Sequence, residues 1–80
     1  MIRKESLPAY VQLTENHTSV KGKVTGIRYH ELDCFVVTGF VVIDETDFVS
    51  VVDSAGNETC LPAVIVEKAE VCPWRLALAV

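Results

Sequence analysis

The sequence predicts an all-β protein, a small bent barrel or sandwich of about five to six short antiparallel strands. One observation is the run 35–43, in which seven of nine residues are apolar and most are β-branched or aromatic, a composition typical of a buried pleated surface. Further short apolar runs follow at regular spacing, with turn-forming residues between them. No stretch of ten or more residues has a strong helical period.

The run 35–43 is predicted to be the central strand. At about 3.3 Å per residue it spans roughly 30 Å. A strand of this length that is apolar on both faces needs cover on both, and a bend lets one strand serve two sheets. Gly39 lies at the middle of the run, where we predict a bulge or kink.

Two strands are predicted before the central run. Residues 10–14 alternate and predict a short strand, and residues 15–18 predict a polar turn. Residues 20–29 predict the second strand, and 29–34 a loop.

The turns after the central run predict a hairpin and a final strand. An acidic turn over 44–47 leads to a hairpin over 48–61, whose turn, Asp-Ser-Ala-Gly-Asn, is the strongest turn signal in the chain. Pro62 cannot donate to a strand ladder, so we predict a short 3₁₀ turn over 61–64. A strand over 65–68 follows, and the last five residues predict a strand or short helix.

Eighty residues, half of them apolar, suffice for one domain with a single core. We expect one β domain over 1–80, with a loose or extended arm over 1–8 and an apolar extension over 69–80. No run of eighteen apolar residues is present, and the first residues lack the apolar segment of a signal peptide. We therefore expect a cytoplasmic protein without membrane contact. Three widely spaced cysteines without a Cys-x-x-Cys pair predict reduced, mostly buried thiols.

The order of elements resembles that of a Src-homology-3-like small barrel over roughly residues 20–68. The residues that carry the resemblance are Gly22-Lys23-Val24 at the start of a strand, the tight hairpin at 53–57, and the stretch 61–67. The resemblance implies that a one-turn 3₁₀ segment precedes a short closing strand. No set of residues matches the aromatic ligand-binding cluster of the Src-homology-3 peptide binders, so no functional residue is transferred.

Charge is unevenly distributed along the chain, whose formal net charge is −4. The first thirty residues carry five basic and two acidic side chains, and the remaining fifty carry two basic and nine acidic side chains. We hypothesise a non-enzymatic protein-interaction module that binds a partner protein and self-associates as a dimer. Such acidic domains are typical of small regulators and inhibitors, including those of viral or mobile-element origin. The expected binding residues are Glu31, Asp33, Asp44, Glu45, Asp47, Trp74, Leu76 and Leu78.

A nucleic-acid-binding barrel is the alternative. Lys21, Lys23 and Arg28 would neutralise phosphates, and Tyr29 would stack on a base. The negative net charge opposes phosphate binding, because nucleic-acid modules are usually basic.

The loop that contains His30, Glu31, Asp33 and Cys34 gathers side chains of the types that bind divalent metals. Their spacing matches no established zinc pattern, so we expect a solvated loop with Cys34 turned into the core. Cys34 and His30 lack an orienting third group and an oxyanion hole. We therefore expect neither a cofactor nor an enzyme activity.

Overall fold

The computed structural model describes residues 1–19 and 26–74, which form two antiparallel sheets and confirm the predicted all-β class. The larger sheet has the strand order β6-β5-β4-β1-β7. Its strands are β1 (Tyr10–Leu13), β4 (Cys34–Ile43), β5 (Thr46–Val52), β6 (Glu58–Pro62) and β7 (Val66–Lys68). The smaller sheet pairs β2 (His17–Thr18) with β3 (Arg28–Tyr29).

The larger sheet is open over the described residues, with β6 and β7 at its two edges, so these strands do not close a barrel. No helix in the described ranges is long and apolar enough to cross a membrane.

β4 is the predicted central strand. It pairs with β5 along most of its length but with β1 only at its beginning, from Cys34 to Val36. The register with β5 shifts between Val37 and Gly39, which confirms a bulge near the middle of the strand. Gly39 itself is not sterically required, because an added Cβ would meet no atom nearer than Ser50 Cβ at 3.9 Å.

The core lies against one face of the larger sheet. Alternate residues of β1 and β5 are fully buried, the period of two that places every second side chain on one face. The ring of Tyr29 packs edge-on against Phe35 at a centroid distance of 5.0 Å. The largest fully buried apolar side chains are Val11, Leu13, Phe35, Val49, Val51, Leu61 and Val66.

The expectation that the central strand is covered on both faces is wrong at its carboxyl end. Val41, Val42 and Ile43 are 37%, 58% and 49% exposed. The reason is the short length of β1, whose pairing with β4 reaches only Val36. Beyond that point β5 is the only described strand beside β4, and the two strands project as a hairpin.

The hairpin predicted over 48–61 is confirmed by the antiparallel pairing of β5 with β6. The predicted 3₁₀ turn is also present, displaced to Ala63–Ile65 because Pro62 ends β6.

The amino-terminal segment, expected to be a loose or extended arm, is attached to the domain. Ile2 is 6% exposed and its backbone N–H donates to the Ala63 carbonyl at 3.2 Å. A 3₁₀ turn follows at Lys4–Ser6. This contact joins residues 61 positions apart, which the local pattern of residues 1–8 does not show.

The predicted polar turn over 15–18 is wrong in part, because His17–Thr18 is strand β2 and pairs with β3. Of the strand predicted over 20–29, residues 28–29 are strand, while residues 20–25 lie outside the described ranges. Gly26 approaches the preceding chain closely, and a Cβ there would overlap the Ser19 carbonyl oxygen.

Candidate functional site

The tip of the β4–β5 hairpin is a tight two-residue turn. Asp44 and Glu45 both have positive φ, 48° and 64°, the combination that a type I′ hairpin turn requires. The strands therefore remain paired as far as Ile43 and Thr46. Because the pairing extends to the tip, the exposed apolar side chains are held on regular strand backbone.

The two faces of this hairpin carry different side chains. Phe40 and Val42 share one face with Asp47, which is the cross-strand partner of Val42. That face borders a groove of about 270 Å³, whose opposite wall is the segment from Met1 to Glu5. Val41 and Ile43 lie on the other face, since side chains alternate along a strand.

Acidic side chains surround the exposed apolar residues. Asp44, Glu45 and Asp47 are all exposed. Within residues 1–19 and 26–74 the ion pair formed is Lys68–Glu70, so none of these three carboxylates forms an ion pair with a described basic side chain, although Arg3 and Lys4 line the same groove as Asp47. The hairpin tip, which we define as residues 41–47, thus combines an apolar centre with a negatively charged rim.

The other acidic residues expected to bind a partner, Glu31 and Asp33, lie at the opposite end of β4. The Asp33 carboxylate accepts a hydrogen bond from the His30 backbone N–H at 2.8 Å. The Glu31 N–H donates to Asn16 Oδ1, also at 2.8 Å. These bonds shape the loop before β4, so Asp33 has a structural role there.

The three apolar residues predicted at the carboxyl terminus are described only in part. Trp74 is half-buried, and its indole N–H donates to the Cys34 carbonyl at 2.8 Å. The side chain therefore packs beside the start of β4. Leu76 and Leu78 lie outside the described residues.

The structure contradicts the stacking role predicted for Tyr29. The side chain is only 5% exposed, and its hydroxyl donates to Asp53 Oδ2 at 2.8 Å. A ring buried against Phe35 has no free face for a nucleic-acid base. Arg28 is exposed, whereas Lys21 and Lys23 lie outside the described ranges.

Asp53 carries a buried carboxylate, whereas the sequence predicted this residue only as part of a turn. Asp53 Oδ1 accepts hydrogen bonds from the Ala55 and Asn57 backbone N–H groups at 2.9 and 2.8 Å. Burial alone would raise the pKa of this carboxyl, but the hydrogen bonds from Tyr29, Asn57 and Ala55 outweigh it and hold the pKa below its ordinary value. The sequence signal for these backbone hydrogen bonds is the aspartate at the first position of the turn Asp-Ser-Ala-Gly-Asn.

The pKa of the Tyr29 hydroxyl shifts in the opposite direction. Burial raises its pKa well above the ordinary value, and the hydrogen bond to the Asp53 carboxylate raises it further. Tyr29 is therefore a neutral donor and Asp53 a charged acceptor over the whole neutral range.

A cleft of about 290 Å³ lies at this end of the sheet, lined among others by Arg28, Tyr29, Asp33, Cys34 and Trp74. It brings together residues that the sequence analysis assigned to different hypotheses. No three His, Cys, Asp or Glu side chains converge as metal ligands in the part of the chain that the structure describes.

Comparison with protein-family models, curated proteins and solved structures finds no match to this chain. The molecule is thus defined by its own features, an open antiparallel sheet from which an apolar hairpin tip with an acidic rim projects. Any function must be argued from that surface, because a fold does not carry a function by itself.

Proposed function

We propose that this chain is a small, non-enzymatic protein-interaction module that binds a partner protein through the hairpin tip. The observation that carries the proposal is the exposure of Val41, Val42 and Ile43, three consecutive large apolar residues. The tip exposes apolar side chains on both of its faces, and exposed apolar surface with a polar rim is typical of protein-binding sites. The tight turn at Asp44 and Glu45 supports the proposal, since a surface held in one conformation loses less entropy on binding.

The chemistry of the tip indicates the kind of partner. The three exposed carboxylates of Asp44, Glu45 and Asp47 would face lysine or arginine side chains that surround an apolar depression. Complementary charges of this kind accelerate association and exclude partners with the wrong charge. A cytoplasmic regulator or inhibitor that covers a basic-rimmed surface of its target fits these features.

A second copy of the chain is a less suitable occupant of the same surface. In a two-fold interface the same patch lies on both sides. Pairing two hairpin tips would bring the acidic rims of the two copies together, and like charges across an interface are destabilising. The charge distribution therefore favours a different protein as the partner.

The test compares the wild-type chain with Val42→Asp and with Val64→Asp as a matched control. Val64 is 65% exposed, similar to Val42, but lies in the 3₁₀ turn Ala63–Ile65. Each purified protein is used to capture proteins from cell lysate with and without nuclease treatment, and circular dichroism checks that both variants fold. We expect both the wild type and Val64→Asp to capture the same protein from the lysate. Val42→Asp should capture at least about tenfold less of it, and increasing salt should release it.

Three outcomes would overturn the proposal. A partner retained equally by Val42→Asp would bind elsewhere on the chain. Complete loss of binding after nuclease treatment would favour the nucleic-acid alternative that uses Lys21, Lys23 and Arg28. A concentration-dependent dimer that Val42→Asp abolishes, measured by light scattering, would make a second copy the occupant.

A further inference from the structure

Cys34 and Cys72 come together although they are distant in the sequence. Cys34 is the first residue of β4, and Cys72 lies four residues beyond the end of β7. The Cys34 thiol donates to the Val71 carbonyl, with a sulfur–oxygen distance of 3.4 Å. The Trp74 indole N–H donates to the Cys34 carbonyl. Contacts on both sides of Cys72 thus hold it beside Cys34.

The two cysteines lie side by side and differ in exposure. The Cys34 sulfur contacts the carbonyl of Val71, whose carbon is bonded to the Cys72 backbone nitrogen, and Cys72 is 1% exposed. Cys34 is half-buried and lines the 290 Å³ cleft. An oxidant can therefore reach Cys34 from the cleft, while the neighbouring Cys72 is shielded from solvent.

We propose that Cys34 and Cys72 form an oxidative modification site, at which hydrogen peroxide joins them in an intramolecular disulfide. The site is independent of the hairpin tip and of the proposed function, because it lies at the other end of β4.

The reaction proceeds in two steps. The Cys34 sulfur attacks one peroxide oxygen, the O–O bond breaks, and Cys34 becomes a sulfenic acid as the first water leaves. The Cys72 sulfur then attacks the Cys34 sulfur, the S–O bond breaks, and the second water leaves. The two thiols together lose two protons and two electrons, and one peroxide is reduced to two waters.

The environment of the pair makes this reaction slow. Burial raises the pKa of the Cys34 thiol to about 12, and the neighbouring Cys72 thiol adds to the increase. Since the thiolate is the reactive form, the pair remains reduced under brief exposure and oxidises under sustained exposure. A thiol reductant then restores both thiols by exchange.

The experiment treats the purified 80-residue chain with hydrogen peroxide, alkylates the remaining thiols, and maps the peptides by mass spectrometry without reduction. We expect a mass loss of about 2 Da from the removal of two hydrogens, a Cys34–Cys72 cross-linked peptide, and one alkylated cysteine, Cys60. Dithiothreitol should restore three alkylated cysteines. The Cys60→Ser variant should form the same cross-link, and Cys34→Ser should form none.

Because the wild-type peptide map identifies the linkage directly, the test does not depend on the folding of any variant. A cross-link that includes Cys60 would overturn the proposal. Equally, sulfinic or sulfonic acid on Cys34 without a cross-link, or a disulfide between two chains, would show that Cys72 does not capture the oxidised sulfur.

Discussion

Replacing Tyr29 with phenylalanine removes one hydroxyl group and leaves the ring in place against Phe35. In the folded protein that hydroxyl donates to Asp53 Oδ2 at 2.8 Å, and both residues are almost completely buried. After the substitution Oδ2 retains the Asn57 side-chain N–H at 3.2 Å. A hydrogen bond to a charged group contributes about 1.5–3 kcal/mol, so we expect the free energy of unfolding to fall by about 2 kcal/mol at pH 7.

Urea unfolding followed by circular dichroism measures this change, and Tyr10→Phe is the matched control. Tyr10 is half-buried in β1, and its hydroxyl forms no hydrogen bond with any described residue. For a domain of this size a loss of about 2 kcal/mol lowers the thermal midpoint by roughly 10 °C. A loss below about 0.5 kcal/mol, the usual range of surface substitutions, would refute the importance of the buried bond.

The same pair predicts how the difference between wild type and Tyr29→Phe depends on pH. The pKa of Asp53 is lowered by folding, so the contribution of Asp53 to stability is present above its unfolded pKa of about 3.9 and is lost as pH falls. The pKa of Tyr29 is raised by folding, so the contribution of Tyr29 to stability is present below its unfolded pKa of about 10 and is lost as pH rises. The difference in the free energy of unfolding between wild type and Tyr29→Phe should therefore narrow at both low and high pH. A difference that stays constant across pH would contradict this explanation.

Three further tests use the same urea unfolding assay. Glu45→Gly should raise the free energy of unfolding by about 1 kcal/mol, because Glu45 has φ 64° and glycine tolerates this region; no gain would mean that the turn is unstrained. Gly26→Ala should lower the free energy of unfolding by at least about 2 kcal/mol, because its Cβ would overlap the Ser19 carbonyl oxygen. Gly39→Ala should lower it by less than about 1 kcal/mol. Equal losses would contradict the difference in the room for a Cβ at the two positions. Ile2→Ala should lower the free energy of unfolding by about 2–4 kcal/mol, because Ile2 is buried in the core. A negligible decrease would mean that the amino-terminal segment is not attached to the domain.

The features that the sequence predicted are those determined by neighbouring residues. The β5–β6 hairpin follows from two apolar runs around the turn that begins at Asp53. The 3₁₀ turn after Pro62 follows from the backbone properties of that proline, and the bulge lies near Gly39 although that position does not require glycine. Such signals are contained in a few consecutive positions, so a single sequence is sufficient to find them.

The candidate site depended on pairings between distant segments and could not be predicted in this way. Residues 41–43 are exposed because β1 is short and pairs only with the start of β4. The Tyr29–Asp53 bond joins residues that are 24 positions apart. The proximity of Cys34 and Cys72 requires the chain after β7 to return past β1 to the start of β4. An apolar run indicates burial, but it does not show where the covering strand ends.

The position of β1 between β4 and β7 has a consequence for the order of folding. The strands β4, β5 and β6 are consecutive and joined by short turns, so they can pair with little loop-closure entropy. In contrast, Leu13 pairs with Val66 across most of the chain. We therefore expect the three-stranded meander to form before the transition state and the β1–β7 ladder to form after it. Substitutions in that ladder should then accelerate unfolding and leave the folding rate nearly unchanged.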